Sequence, residues 1–186
     1  MKKYFLLLTL LCLSLSARAH DAEVDGIFYN LDTANKTAAV TFKGDNYWDD
    51  DEYSGDVVIP ETVTYNGITY SVTSLGDDCL AGCSSLTAIT IPKSVTSLGN
   101  GCFEWCSSLE RMVVDAANPV YDSREDCNAI IHTSTNELIA GCQNSQIPNS
   151  VTSLGDYCFS ECSSLTSITI PNSVTTLGEN CFCKCI

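Results

Sequence analysis

The chain has 186 residues, and 23 acidic residues against nine basic ones give it a formal net charge of −14 at pH 7. This charge argues against a protein that binds nucleic acid, because phosphate groups require lysine and arginine, and against binding to anionic membrane surfaces. Eleven of the 12 cysteines lie beyond residue 19. Since eleven is an odd number, they cannot all pair within the chain.

The first nineteen residues have the pattern of a secretory signal peptide. Two lysines precede an apolar run over 4–15, and small residues then mark a cleavage site between Ala19 and His20. The apolar run is too short to cross a bilayer, which takes about 20 such residues. Lipid attachment at Cys12 is the alternative, but Leu11 stands where a small residue is expected. We expect a secreted or cell-surface protein without a membrane span.

Residues 20–71 are predicted to form a strand-rich N-terminal cap. Gly26–Leu31 and Thr37–Phe42 are predicted strands, and Ile59–Val63 echoes the Ile-Pro-x-Ser-Val junctions further along the chain. Tyr65–Ile68 contains Asn-Gly at its centre, which is typical of a two-residue β-hairpin.

From Val72 onward the chain repeats with a period of 23 residues. Copies of Val-Thr-Ser-Leu-Gly begin at Val72, Val95 and Val151, and a related copy begins at Val174. The 56 residues from Val95 to Val151 are one repeat plus 33 inserted residues. The predicted domain 72–186 therefore has repeats 72–94, 95–117 and 151–173, a partial repeat 174–186, and an inserted module 118–150. Repeats of this length predict a solenoid of stacked units.

Each repeat is predicted to contain one short strand and one helical or 3-10 turn. The run Leu86–Ile91 has a Leu-x-x-Ile-x-Ile pattern that ends in period-two alternation, and Pro92 ends the strand. Cys79–Cys83 has the apolar i, i+4 spacing of one helical turn. We expect a right-handed, β-rich solenoid of parallel strands. Its buried positions are Ile89, Met112 and Ile168, and its outward positions are Ala88, Thr90, Arg111, Val113, Ser167 and Thr169.

This repeat pattern resembles the BspA-type leucine-rich repeat of bacterial surface proteins, and Asn118–Cys142 is similar to a longer module found among them. The chain departs from the family where cysteine replaces alanine at Cys79, Cys102, Cys158 and Cys181. It also stops at Ile186 after half a repeat, as a truncated reading frame would. The resemblance implies surface exposure and attachment to host or bacterial surface proteins. The outward strand positions are the candidate binding face.

Cys127 and Cys142 form the candidate disulfide. A hairpin with its turn at Ser134-Thr135 would place them opposite each other on paired strands, where a bridge is possible. The predicted register pairs Thr133 with Asn136, Ile131 with Leu138 and Ala129 with Ala140. The other cysteines are interpreted as buried, reduced thiols that pack as small hydrophobic groups.

Three clusters could be taken for chemical sites, and each lacks a necessary part. Cys181, Cys183 and Cys185 suggest zinc, but no CxxC pair or histidine ligand accompanies them. Asp45–Glu52 suggests calcium, but its spacing fails that of an EF-hand, so it is interpreted as a solvated loop. A hydrolase site could be assembled from Asp122, Ser123, Arg124, Cys127 and His132, yet nothing predicts its geometry. We expect no metal, no cofactor and no catalysis.

The predicted function is protein binding or adhesion, since solenoids present an extended surface of aligned side chains. The alternative is a structural envelope or spacer protein without a specific ligand. The small, mostly uncharged outward residues favour this alternative, because binding hot spots are rich in Trp, Tyr and Arg. An enzyme is the third and weakest hypothesis.

Overall fold

The computed structural model describes residues 20–44 and 53–185, whose regular secondary structure is almost entirely β-strand, joined by turns and irregular segments. The predicted signal peptide and the acidic run Asp45–Glu52 lie outside the described residues. The strands are β1 (Ala22–Val24), β2 (Ile27–Asp32), β3 (Thr37–Thr41), β4 (Gly55–Val58), β5 (Thr62–Tyr65), β6 (Ile68–Leu75), β7 (Leu86–Ile91), β8 (Ser97–Leu98), β9 (Arg111–Val114), β10 (Tyr121–Asp122), β11 (Ala129–His132), β12 (Glu137–Gly141), β13 (Ser153–Leu154) and β14 (Thr176–Leu177). One 3-10 turn, Arg124–Asp126, is the sole helical element in this part of the chain, and no helix there is long and apolar enough to cross a membrane.

The strands form three sheets. The first has the order β1-β2-β3-β6-β5, and β8 also pairs with β6. The second has the order β10-β11-β12-β13-β14, and the third is the parallel sheet β4-β7-β9. The predicted hairpin is confirmed: Tyr65 pairs with Ile68, and Asn66 and Gly67 both have the positive φ that this turn requires, 49° and 77°.

Parallel pairing of strands in successive repeats follows the 23-residue period. Ala88 lies opposite Arg111 in the third sheet, Leu75 lies opposite Leu98 in the first, and Ser153 lies opposite Thr176 in the second. Ile89 and Met112 are fully buried, as predicted. The Val-Thr-Ser-Leu-Gly motif supplies a further strand that was not predicted: it is the end of β6 in the first repeat and the two-residue strands β8, β13 and β14 in the others.

The predicted helical turn at the cysteines is wrong. The segment 77–83 is a series of tight turns closed by i to i+3 bonds, such as Ala81 N–H to Asp78 O at 3.0 Å. Asp78 and Gly82 have φ of 53° and 77°, and such left-handed residues interrupt right-handed helical geometry. The chain therefore reverses direction at each turn without forming a helix.

The predicted strand of the third repeat is also not formed. Residues 165–170 pair with no strand in the described part of the chain, and Ile168 is half-buried where full burial was expected. The inserted module explains this outcome. Its side chains occupy the outer edge of β9, where Asn128 Oδ1 accepts from Met112 N–H at 2.8 Å and Ser123 Oγ from Val114 N–H at 3.0 Å. The third sheet consequently ends at β9.

The inserted hairpin has a different register from the predicted one. Ile131 pairs with Leu138 as expected, but Ala129 pairs with Gly141 rather than Ala140. A β-bulge causes the shift, because Ile130 pairs with Ala140 and Ile139 is left as an extra residue.

The bulge bears on the candidate disulfide. Cys127 packs in a C-terminal hydrophobic cluster and Cys142 in a larger N-terminal one. Both residues are free, buried thiols. The extra residue on β12 removes the symmetry about the turn that the predicted bridge relied on.

Candidate interaction surfaces

The outward face of the sheet β4-β7-β9 is built from cross-strand rows of side chains. Val58, Thr90 and Val113 form one row in register, with Val58 64% exposed. The neighbouring row is Asp56, Ala88 and Arg111, in which Ala88 is only 8% exposed. Ala88 therefore offers little surface of its own, and the exposed area of its row comes from the longer side chains on either side.

Asp56 and Val58 belong to this face although sequence reasoning did not select them. The sequence did indicate that they belong here, because Ile59–Val63 resembles the Ile-Pro-x-Ser-Val junctions that follow the later strands. Aligning Ile59-Pro60 with Ile91-Pro92 places Val58 at the position of Thr90. The structure confirms that alignment, because Val58 is the register partner of Thr90.

Ser167 and Thr169 are exposed, but the structure does not join them to this face. They lie in 165–170, the segment that makes no strand pairing within the described residues. Of the six predicted outward residues, four therefore share one sheet and two lie in the third repeat beyond the inserted module.

A groove of about 740 Å³ runs beside β9 where the next strand of the sheet would lie. Its lining includes Arg111, Met112, Val113, Arg124, Asp126 and Asn128. Asn128 Nδ2 also donates to Glu110 O at 2.6 Å, so the inserted module binds both donors and acceptors of this edge. The edge is closed to strand addition at those atoms, while the groove above it remains open.

An ion pair between Asp122 and Arg124 fixes one wall of the groove. Arg124 donates to both carboxylate oxygens, at 2.6 and 2.7 Å, and its Nη1 donates to Asn136 Oδ1 at 2.8 Å. Burial opposes ionisation of Asp122, but hydrogen bonds from Arg124 and Thr133 outweigh it and lower the pKa of this carboxyl. Asp122 therefore stays charged at neutral pH and holds Arg124 against the hairpin turn.

Apart from the ion pair of Asp122 with Arg124, the side chains of the hypothetical hydrolase site make no hydrogen bond with one another in the described chain. Ser123 Oγ donates to Ala129 O at 2.8 Å, and His132 Nδ1 shares a hydrogen bond with Ser134 Oγ at 3.3 Å. Burial raises the pKa of the Cys127 thiol. The arrangement thus pairs no nucleophile with a base, which an activated serine or cysteine needs.

Thiols of the repeats donate hydrogen bonds to neighbouring backbone. Cys106 donates to Leu80 O at 3.1 Å and Cys185 to Phe159 O at 2.8 Å, in each case 26 residues back. Burial raises the pKa of Cys106 well above its ordinary value, and burial together with nearby cysteines raises the pKa of Cys162 to about 12. These thiols are protonated donors at neutral pH, and no three His, Cys, Asp or Glu side chains among residues 20–44 and 53–185 converge to hold a metal.

Comparisons with known proteins place the chain among bacterial repeat proteins. A sequence model described as BspA type leucine-rich repeat region matches residues 58–124 and 130–186 in six copies. The chain is similar to a leucine-rich repeat protein from Bacteroides ovatus, with 26% identity over 89% of this chain and 39% of that one, at a TM-score of 0.56. It is similar also to one from Eubacterium ventriosum, with 26% identity over 69% of this chain and 33% of that one, at 0.56.

These matches confirm the resemblance inferred from the repeat pattern. The chain spans 39% and 33% of the length of the two solved proteins. No curated protein sequence matches it significantly. The matched ranges include the junction-like segment that begins at Ile59 and most of the inserted hairpin. Both segments lie outside the regular repeats predicted from the sequence.

Proposed function

The chain belongs to the BspA-type leucine-rich repeat family, and we propose that it is a secreted or cell-surface protein that binds other proteins and catalyses no reaction. Host or bacterial surface proteins are the proposed partners. The observation that carries this proposal is the aligned row Val58, Thr90 and Val113 on the outward face of a parallel sheet, beside an open groove. Such aligned surfaces are the working face of stacked-repeat proteins.

The proposed architecture is a solenoid of repeats preceded by an N-terminal cap at 20–71. The parallel pairing of equivalent residues 23 positions apart supports stacking, since each repeat leaves one edge for the next. The hairpin β5–β6 supports the cap, because β6 runs directly from it into the first repeat. The inserted module interrupts the stack at 118–150.

The proposed export depends on the signal pattern at the N-terminus. Cleavage between Ala19 and His20 would remove three of the nine basic residues and leave all 23 acidic ones. The net charge of the exported chain would therefore be more negative than that of the full chain. Identification of His20 as the first residue of the secreted protein by N-terminal sequencing is the direct check.

The amount of exposed surface sets the expected strength of binding. A specific interface buries about 800 Å² on each partner, which three strands and one groove barely supply. We expect weak binding at a single site and stronger attachment only where many copies act together.

A structural spacer without a specific ligand is the second candidate. The observation in its favour is the composition of the face, where Val58, Ala88, Thr90 and Val113 are small and Arg111 is the one typical anchor. The two functions differ in a simple measurement. Saturable binding to extracellular matrix or cell-surface proteins supports the first, and its absence supports the second.

The face itself is tested with Thr90→Glu and Val113→Glu. Both side chains are half-buried on the outer side of the sheet, and adjacent carboxylates there should weaken binding about tenfold or more by desolvation and repulsion. Thr62→Glu, at an exposed position of β5 in another sheet, is the matched control. Thr169→Glu reports whether the third repeat contributes. Undiminished binding by the folded Thr90/Val113 variant would show that the face is wrongly assigned.

A further inference from the structure

A cleft of about 510 Å³ separates repeat 95–117 from repeat 151–173. Adjacent repeats elsewhere are closed by backbone bonds, such as Gly82 N–H to Glu104 O at 2.9 Å and Phe159 N–H to Cys181 O at 2.8 Å. The described residues make no such bond between 101–106 and 157–162, because β12 of the inserted module enters between the two repeats. The inserted module therefore leaves a gap between these two repeats, whereas the other adjacent repeats are joined by backbone hydrogen bonds.

Several backbone donors that line this cleft have no partner in the described chain, and the N–H groups of Gly101 and Phe103 are two of them. The equivalents of Gly101 in the other repeats do have partners, since Asp78 N–H donates to Asn100 O and Tyr157 N–H to Glu179 O, both at 2.9 Å. A ligand that supplies carbonyl oxygens would provide these N–H groups with the acceptors that an adjacent repeat does not provide here.

The polar lining of the cleft is acidic. Glu104, Glu137 and Asp156 are its charged residues, and the lining contains no Lys, Arg or His. None of the three forms an ion pair with a basic side chain in 20–44 or 53–185. A fourth carboxylate, that of Asp78, lies near Glu104, since a β-carbon on Gly101 would lie 2.5 Å from Asp78 Oδ1 and 3.2 Å from Glu104 Oε1.

Most of the remaining lining is apolar or aromatic, with Asn100 and Ser160 as uncharged polar residues. Phe103 is half-buried and Tyr157 is 41% exposed, on opposite sides of the gap. Buried thiols such as Cys102 and Cys158 form part of the floor. Aromatic rings beside carboxylates favour a planar organic cation, because a guanidinium can stack on a ring and donate to carboxylates at once.

We propose that this cleft is a second binding site, which takes an arginine side chain and its flanking backbone from a partner protein. The partner's carbonyl oxygens accept from Gly101 and Phe103, and its guanidinium lies among Glu104, Glu137 and Asp156. The volume falls within the range of about 300–1,000 Å³ usual for ligand sites. This site shares no residue with the outward row of β4, β7 and β9. The proposal is therefore tested independently of the proposed function of that face.

Burial and charge at Glu104 support the assignment. Burial, and then the charge of Asp78, raise the pKa of Glu104 above its ordinary value. A bound cation would relieve this destabilisation of the carboxylate. Because its surroundings disfavour the charged form of Glu104, Glu104→Gln should not destabilise the fold. This variant is therefore suitable for testing binding.

The test is a titration of the ¹⁵N-labelled full chain with the peptide acetyl-Ala-Ala-Arg-Ala-Ala-amide. We expect saturable shifts of the Gly101 and Phe103 amide signals, and affinity that falls as salt rises. The variant Glu104→Gln with Glu137→Gln should bind about tenfold more weakly, since charge-assisted hydrogen bonds are lost. Acetyl-penta-alanine-amide should produce no saturable shift.

Glu23→Gln with Glu179→Gln is the matched control, because it removes the same charge from two exposed sites outside the cleft. It should bind the peptide like the unaltered chain. Equal weakening by both pairs would overturn the proposal and show that only the overall acidity attracts the peptide. Equal binding of the alanine peptide, or shifts confined to other regions, would overturn it as well.

Discussion

Gly141 is the residue whose lack of a side chain matters most to the packing of the inserted module. A β-carbon there would lie 2.1 Å from Cε1 of Phe159, a fully buried ring that stacks on Phe182 with centroids 5.3 Å apart. Gly141 N–H also donates to Cys158 O at 2.8 Å. The close approach of β12 to the third repeat therefore depends on glycine at this position.

Gly141→Ala should lower the free energy of unfolding by about 1–3 kcal/mol, because the added methyl group must displace a packed ring. Urea denaturation measures the loss. Combining it with Phe159→Leu should recover part of that loss, and the double-mutant cycle should give a coupling energy of at least about 0.5 kcal/mol. Strict additivity would mean that the two residues do not conflict in this way.

The inserted module is the element that decides where the sheets stop. It caps the second repeat with side chains, since Tyr121 OH accepts from Leu98 N–H at 3.2 Å and Asn128 Oδ1 from Met112 N–H. It then offers its own strand β12 to β13 in parallel register. The strand pairing of the second repeat thus ends where hydroxyl and amide groups occupy its backbone donors. A new parallel pairing then starts between the backbones of β12 and β13.

Asn128→Gly should destabilise the chain by about 1–3 kcal/mol, because the part-buried Met112 N–H loses its acceptor and Glu110 O loses the shorter of its two side-chain donors. Glycine keeps the positive φ of 56° at this position, so the backbone is not strained by the change. Asn66→Gly, at φ 49° in the exposed hairpin turn, is the matched control and should change stability by less than about 0.5 kcal/mol. Similar losses in both variants would contradict a capping role for Asn128.

At the scale of the whole molecule, two hydrophobic clusters meet at β11. The larger contains buried residues from Ala22 to Cys142, and the smaller contains buried residues from Cys127 to Cys181. Adjacent residues on β11 belong to different clusters: Ile130 to the larger and Ile131 to the smaller, and both are fully inaccessible to solvent. The inserted hairpin therefore joins the two cores, since β12 is divided in the same way: Leu138 belongs to the smaller cluster and Ala140 to the larger.

Ile130→Ala and Ile131→Ala form a matched pair that tests this division. Each should cost about 2–5 kcal/mol by leaving a cavity. Hydrogen exchange followed by mass spectrometry should show faster exchange over 68–114 for Ile130→Ala, and over 151–185 for Ile131→Ala. Indistinguishable exchange patterns would mean that the clusters unfold as one unit.

Local patterns in the sequence predicted much of this fold. The 23-residue period predicted the parallel pairing of equivalent residues, Asn66-Gly67 predicted its hairpin, and period-two alternation predicted the burial of Ile89 and Met112. Each of these features depends on residues within one strand, one turn or two neighbouring repeats. Such short-range chemistry is present in the sequence itself.

The tertiary structure alone decided what happens at the insertion. The Leu-x-x-Ile-x-Ile pattern at 165–170 is as good as that of β7, but a strand also needs a neighbour with free backbone groups, and Asn128 and Ser123 occupy those of β9. The bulge at Ile139 likewise changes which residues face each other without leaving a signal in the sequence. The cleft beside Gly101 arises for the same reason: the sequence determined what each repeat can bond to, and the position of the inserted module determined which of those bonds are made.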